Sequence, residues 1–224
     1  MQRRYVQASS RRKDLRTALL FGGAFNPPTI AHIGLAEYAR ELTGKESVIF
    51  VPTKNSYISD TQGKEYVFSD EDRLFMLDQI ALNRPWMEVS RFEIEAEKQP
   101  RTYETLCHFR KNGVQASLLF GSDKLAELQT VWKYVPEICR EFGIVCMKRS
   151  DDDPESLIRN DPFLREFASC ITIIDTPETT REVSSTNARR SLAAMKQAYG
   201  EIREILPAEL HGLMLEYVKK GDGK

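Results

Sequence analysis

The sequence predicts an α/β fold, a doubly wound parallel sheet in a single domain. Three observations carry that expectation. Short β-rich runs alternate with stretches of helical periodicity along most of the chain. The first of those runs gives way at once to a glycine-containing turn and then to an apolar stripe at helical spacing. The length, 224 residues with 41% hydrophobic and 29% charged, suffices for one well-buried α/β domain and is short for two.

In chain order, Ala18-Leu19-Leu20-Phe21 reads as a buried strand, and Ile33, Leu35, Ala36, Ala39 and Leu42 form the helical stripe behind it. Further strands are expected at 47–51, 86–91, 116–120, 143–147 and 170–174. Helices are expected near 31–42, 70–82, 102–111, 123–141 and 154–167. Ser69 followed by Asp72 reads as a helix start with an acidic first turn, and Pro207 opens a last helix that ends at Gly221. The stretch 52–68, polar and with Gly63, is the expected mobile substrate loop. Alternation of this kind describes a parallel sheet with helices on both faces, whose ligands sit beyond the carboxyl ends of the strands.

Residues 1–16 carry Arg3, Arg4, Arg11, Arg12, Lys13 and Arg16 against Asp14 alone. They read as a mobile basic tail ahead of a domain at 17–224, with a targeting or nucleic-acid-contacting segment as the alternative. A net charge of −1 gives no ground for nucleic-acid binding by the whole surface, and no apolar stretch reaches bilayer length, so a soluble protein is expected. Cys107, Cys139, Cys146 and Cys170 show no C-x-x-C spacing and lie in apolar stretches, which reads as buried, reduced thiols in a cytoplasmic setting. If the basic N-terminus is a targeting segment, that setting becomes nuclear or organellar.

Two segments carry the chemistry. Gly22-Gly23-Ala24-Phe25-Asn26-Pro27-Pro28-Thr29-Ile30-Ala31-His32 lies where the first strand turns into the first helix. Glycines let the backbone approach a polyphosphate, and the helix start presents unpaired N–H groups and the positive end of its dipole. His32 adds a donor to charge that develops on phosphorus or on a departing pyrophosphate. Val183-Ser184-Ser185-Thr186-Asn187-Ala188-Arg189-Arg190 offers the same chemistry, with Ser184, Ser185 or Thr186 as cap and Arg189 in the first turn. Two helix starts could then grip one triphosphate. The run Asp151-Asp152-Asp153 before Pro154 reads as a solvated loop and helix start instead of a metal site, and Arg149 stands at the expected cleft rim after the fifth strand.

Taken in order, these segments resemble the nicotinamide/nicotinate mononucleotide adenylyltransferases of the HxGH-bearing nucleotidyltransferase superfamily. Gly121-Ser122-Asp123-Lys124-Leu125 with Trp132-Lys133 resembles that family's G-x-D…L…W block, and Trp86-Met87-Glu88-Val89 with Phe92-Glu93 resembles its third-strand block. The resemblance covers about residues 17–218 and implies a Rossmann-like fold. Two positions of the first segment depart from the bacterial pattern: Thr29-Ile30-Ala31-His32 carries Ala where Gly is common, and Asn26 stands where Asp is usual. The bacterial Pro-Pro-His-Lys stretch is missing, and Pro52-Thr53-Lys54-Asn55-Ser56-Tyr57 is closer to the eukaryotic loop. That leans toward acceptance of nicotinamide mononucleotide alongside the nicotinate form.

The resemblance implies transfer of AMP from ATP to a pyridine mononucleotide with release of pyrophosphate, Mg2+ arriving with ATP. It places Gly22, Gly23, Ala24, Phe25, Thr29, His32, Gly121, Asp123, Arg149, Ser184, Ser185, Thr186 and Arg189 around ATP, with His32, Ser184 and Arg189 in catalysis. Asn26, Tyr57, Phe92 and Trp132 fall to the mononucleotide, Trp132 and Phe92 as ring-stacking positions and Asp123 as a holder of ribose hydroxyls or a helix cap. His108 and His211 read as surface or structural residues, Trp132 has core packing as its alternative, and a homo-oligomer is compatible with the sequence. Other readings are a sister transferase of phosphopantetheine or cytidylyl type, which would not require Trp132 and Phe92 around a ring, and a non-catalytic nucleotide-sensing module. A class I aminoacyl-tRNA synthetase fragment is disfavoured, because Leu35 replaces the second histidine after His32-Ile33-Gly34.

Overall fold

Strand β1 (Arg16–Gly23) sends Ala18 and Leu20 to one face of the sheet and Leu19 and Phe21 to the other, and all four are buried. Successive strand residues point to opposite faces, so a strand apolar at both parities must be covered on both sides. The same division holds in β2 (Ser47–Pro52), where Ile49 and Val51 oppose Val48 and Phe50. In the computed structural model, which describes residues 15–57, 68–148, 152–176 and 204–214, these strands join β3 (Met87–Val89), β4 (Val114–Gly121), β5 (Ile144–Lys148) and β6 (Ile171–Asp175) in one sheet. The order is β3-β2-β1-β4-β5-β6 and every neighbouring pair is parallel. Connections run one way from β1 to β3 and the other way from β4 to β6. The reversal leaves a crevice at the carboxyl ends of β1 and β4.

The α-helices are α1 (Ile30–Thr43), α2 (Asp70–Ala81), α3 (Phe92–Glu95), α4 (Thr102–Lys111), α5 (Val135–Glu141), α6 (Pro154–Asn160) and α7 (Pro162–Glu166). Ile33, Ala36 and Ala39 of α1 and Met76, Leu77 and Ile80 of α2 cover the Leu19 and Phe21 face. Leu106 of α4, Ile138 of α5, Ile158 of α6 and Leu164 of α7 cover the other. At about 25 cal/mol per Å² of apolar surface, these two buried layers are the main favourable contribution to folding.

Several boundaries differ from the sequence expectation, each for a local reason. The helix expected over 123–141 is broken into a 3-10 turn, Ser122–Glu127, and α5. Pro136 in the first turn of α5 lacks an N–H and cannot continue a preceding helix, and Tyr134 before it takes a left-handed conformation with φ 61°. The helix expected over 154–167 is split into α6 and α7, because the Asp161 side chain accepts from Phe163 N at 2.8 Å and Leu164 N at 3.1 Å and starts a new helix at Pro162. Asp153 caps α6 by accepting from Ser156 N, so the acidic run ends as a helix start.

Ser69 and Asp72 form the expected reciprocal capping box of α2. Of the expected loop at 52–68, residues 55–57 are helical and Phe68 is fully buried, so both stems are fixed to the body; residues 58–67 lie outside the described residues. Past Pro207 the chain forms a 3-10 turn, Ala208–Leu210, and a helical stretch over 211–214, with Gly221 outside the described residues. The four cysteines are free thiols, Cys139 and Cys146 buried as expected but Cys107 and Cys170 only half-buried.

Candidate active site

Helix α1 begins with a closed ring of hydrogen bonds between Thr29 and His32. The His32 backbone N–H donates to Thr29 Oγ1 at 3.4 Å, and the Thr29 backbone N–H donates to His32 Nδ1 at 3.0 Å. Thr29 Oγ1 also stands 2.8 Å from Nδ1. An Nδ1 that accepts a backbone N–H keeps its lone pair, so the neutral imidazole carries its proton on Nε2. The ring is further fixed by Phe25 and Phe21, with centroids at 5.2 and 6.3 Å. His32 is thus a half-buried, oriented donor at the start of the helix.

The turn leading to it is tightly folded. Phe25 takes a positive φ of 44° with its ring wedged against Phe21 and Phe50, at 5.4 Å from each. A Cβ on Gly23 would come within 3.1 Å of the Phe25 ring, closer than side chains normally pack, so a larger residue there would require the ring to shift. Gly22 is exposed, and Gly23 and Ala24 are half-exposed at the crevice. The first turn of α1 holds no acidic residue, whereas that of α2 holds Asp70, Glu71 and Asp72. The first turn of α2 supplies carboxylates to its own dipole, and the first turn of α1 supplies none.

Asn26 is buried, 1% exposed, and its Oδ1 accepts from Phe68 N at 3.1 Å. It joins the β1 turn to the entry of α2. The β2 loop is fastened at the same place. Asn55 N donates to Asp70 Oδ1 and Asn55 Nδ2 to Phe68 O, both at 2.9 Å, while Thr53 N donates to Gly23 O at 2.9 Å. Tyr57 is half-buried at the end of this stem. A buried guanidinium, Arg73 of α2, donates to Thr53 O at 2.7 Å, to Ala24 O and to Asp70 Oδ1.

At the end of β4, Gly121 is half-exposed and Ser122 Oγ donates to Asp152 Oδ2 across to the loop after β5. Asp123 is exposed, with Lys124 Nζ at 3.8 Å. The 3-10 turn it enters has Gly121 at its cap and no side-chain cap bond, so the cap reading of Asp123 is corrected. Trp132 is half-buried, its ring 5.8 Å from that of Phe120 at the end of β4. It lies on the rim of the core, partly packed and partly open.

Phe92 stacks on His108 with 3.9 Å between centroids and 19° between planes, which assigns His108 a partner and covers one face of the Phe92 ring. Beside it Glu93 is buried and accepts from Thr105 Oγ1 at 2.7 Å and from Gln99 Nε2. Burial pushes this carboxyl above the usual range against the pull of both hydrogen bonds. Gln99 Oε1 in turn accepts from Lys54 N at 3.1 Å, and Lys54 Nζ donates to Ala96 O. His211 Nε2 lies 3.0 Å from Leu206 O, a local contact.

The structure therefore gathers Gly22, Gly23, Ala24, Phe25, Asn26, Thr29, His32 and Tyr57 on adjoining loops of β1 and β2, with Gly121 and Asp123 on the loop of β4, which neighbours β1. Phe92 follows the edge strand β3. Arg149, Ser184, Ser185, Thr186 and Arg189 lie outside the described residues. Sequence reasoning missed Arg73 and the Glu93 and Gln99 network. A signal for Arg73 existed: it occupies the buried stripe of α2 with Met76, Leu77 and Ile80, where an unpaired charge would be costly.

Comparison with known proteins agrees with this geometry. A family model described as cytidylyltransferase-like matches residues 20–191. The chain is 28% identical over 189 residues to a nicotinamide/nicotinic acid mononucleotide adenylyltransferase of Arabidopsis thaliana, covering 78% of this chain and 79% of that one. It is 31% identical over 193 residues to a probable nicotinate-nucleotide adenylyltransferase of Chlorobaculum tepidum, covering 84% of this chain and 91% of the relative. In fold it is similar to Plasmodium falciparum nicotinic acid mononucleotide adenylyltransferase complexed with APC, with a TM-score of 0.69 at 16% identity over 93% of this chain and 96% of the other. The relatives narrow the family model: the chain belongs to the cytidylyltransferase-like family and, within it, to the nicotinamide/nicotinate mononucleotide adenylyltransferases.

Proposed function

We propose that this protein transfers AMP from ATP to nicotinamide or nicotinate mononucleotide, forming NAD or its deamido form and pyrophosphate. The observation that carries this reading is the oriented Nε2–H donor of His32 at an α1 start free of acidic residues, beside the Gly22-Gly23 turn in the crevice. A 5′-phosphate oxygen of the mononucleotide attacks the α-phosphorus, the bond from that phosphorus to the bridging oxygen breaks, and pyrophosphate leaves. The attacking phosphate is already anionic at neutral pH, so no serine or cysteine needs activation. Catalysis rests on alignment and charge stabilisation.

His32 donates to the phosphates, the α1 start stabilises their charge, and Ser184, Ser185, Thr186 and Arg189 grip the triphosphate from the second motif. Gly121, Asp123 and Arg149 border the nucleoside; Asn26, Tyr57, Phe92 and Trp132 belong to the mononucleotide side. The segment from Gly22 to His32 carries no carboxylate, which suits a Mg2+ carried in by the triphosphate and held by phosphate oxygens and water. That ion would neutralise charge developing on the phosphates. Among the described residues no helix is long and apolar enough to cross a membrane.

Incubating the purified protein with Mg-ATP and each mononucleotide, and measuring dinucleotide and pyrophosphate, tests the reading. Formation of both products supports it. Turnover of phosphopantetheine or CTP substrates with neither mononucleotide reacting would overturn it.

A further inference from the structure

We propose that Arg73 is a positioning residue that sets the nucleotide-side turn after β1 and the mononucleotide-side loop after β2 at a fixed separation. One guanidinium donates to the carbonyl of Ala24 in the first and, at 2.7 Å, to the carbonyl of Thr53 in the second. Its side chain is 0% exposed. The charge is balanced by Asp70, whose Oδ1 also receives Asn55 N at 2.9 Å and so extends the same fastening two residues toward Tyr57. A planar fork holds two carbonyls at set positions in a way a lysine cannot reproduce, since an ammonium is a point charge on a flexible stem. Burying an arginine is costly unless it is paired and hydrogen-bonded; here Asp70 of α2 supplies the pair, and the two loops that flank the crevice supply the carbonyl acceptors. Arg84 gives a contrast. It pairs with Glu209 at 2.5 Å before the amino end of β3, at the other end of the strands from the crevice.

In-line transfer requires the attacking phosphate and the α-phosphorus to meet in line, so an error in loop separation acts on turnover before it acts on the affinity of either substrate alone. The inference rests on the adenylyltransferase reading, and the two fail differently. The experiment compares wild type, R73M, R73K, D70N and the control R84M in steady-state kinetics with Mg-ATP and mononucleotide. Each substrate's separate affinity is measured by calorimetry, and amide hydrogen exchange is followed over residues 53–57. R73M is expected to lose about 10- to 100-fold in kcat while separate affinities stay within about threefold, as misalignment predicts. R73K and D70N should show smaller losses of the same kind, and R84M should lose thermal stability with kcat unchanged. Exchange at Asn55 should quicken in R73M and stay at the wild-type rate in R84M.

A folded R73M or R73K with kcat within about threefold of wild type overturns the proposal, as does a loss confined to KM. If R73M does not fold, R73K and D70N decide on the same criteria. A wild-type chain that forms no dinucleotide overturns the functional reading instead, and Asn55 exchange then decides the clamp: unchanged protection in the Arg73 variants overturns it.

Discussion

The Thr29 backbone N–H donates to His32 Nδ1 at 3.0 Å while His32 N–H returns to Thr29 Oγ1 at 3.4 Å, so the residue that starts α1 also decides which nitrogen of the histidine can donate. The cap and the candidate catalytic group are one unit. Folding α1 therefore also orients the histidine.

His32→Ala removes a preorganised donor, and turnover should fall at least about 100-fold with the fold retained. Thr29→Ala keeps the backbone N–H on Nδ1 and loses only the hydroxyl; it should cost about 1 kcal/mol of stability and less turnover than His32→Ala. Single-turnover kinetics with thermal unfolding of both variants checks this. Near-normal turnover in His32→Ala would refute the assignment.

Trp132 leans on Phe120 yet is only half-buried. If the open part of the indole stacks on the pyridine ring, worth about 0.5–1.5 kcal/mol, Trp132→Ala should raise KM for the mononucleotide by roughly 2- to 13-fold with KM for ATP little changed. Its stability loss should stay below the about 3–5 kcal/mol of a fully buried aromatic. Acceptor kinetics identical to wild type would leave Trp132 a packing residue.

Glu93 gives the stability a pH dependence. Burial raises its folded pKa above the unfolded value, so the folded state holds more protons, and stability is fully present below the unfolded pKa and declines as pH rises through the folded one. Glu93→Gln stays neutral, and the Thr105 hydroxyl can reverse to accept its amide. Urea unfolding from the ordinary glutamate range upward should show the variant gaining on wild type as pH rises. A constant difference across that range would contradict the sign.

Cys139 and Cys146 have their thiols pushed up to about 12, chiefly by burial. Thiolate is the reactive form, so both should resist iodoacetamide at neutral pH in the folded protein, while half-buried Cys107 and Cys170 are modified first. Mass mapping of labelled peptides before and after unfolding distinguishes the two pairs. Early labelling of Cys146 would argue against its burial.

What the sequence determined by itself is whatever depends on near neighbours in the chain. Apolar runs such as Ala18-Leu19-Leu20-Phe21 named the strands, Ser69 and Asp72 named a helix start, and the Gly22 to His32 segment named a turn from strand to helix, because strand burial, capping and turn chemistry are local. Helix breaks at Pro136 and Pro162 are equally local, but the apolar periodicity running through them hides them from a reading by period. Tertiary structure alone decided that Asn26 and Asn55 meet at Phe68, that Arg73 joins Ala24 to Thr53, and that Glu93 reaches Lys54 through Gln99. These partners are brought together by the parallel crossovers, and a buried polar group takes whichever partner the packed sheet places within hydrogen-bond reach, which no spacing along the chain encodes.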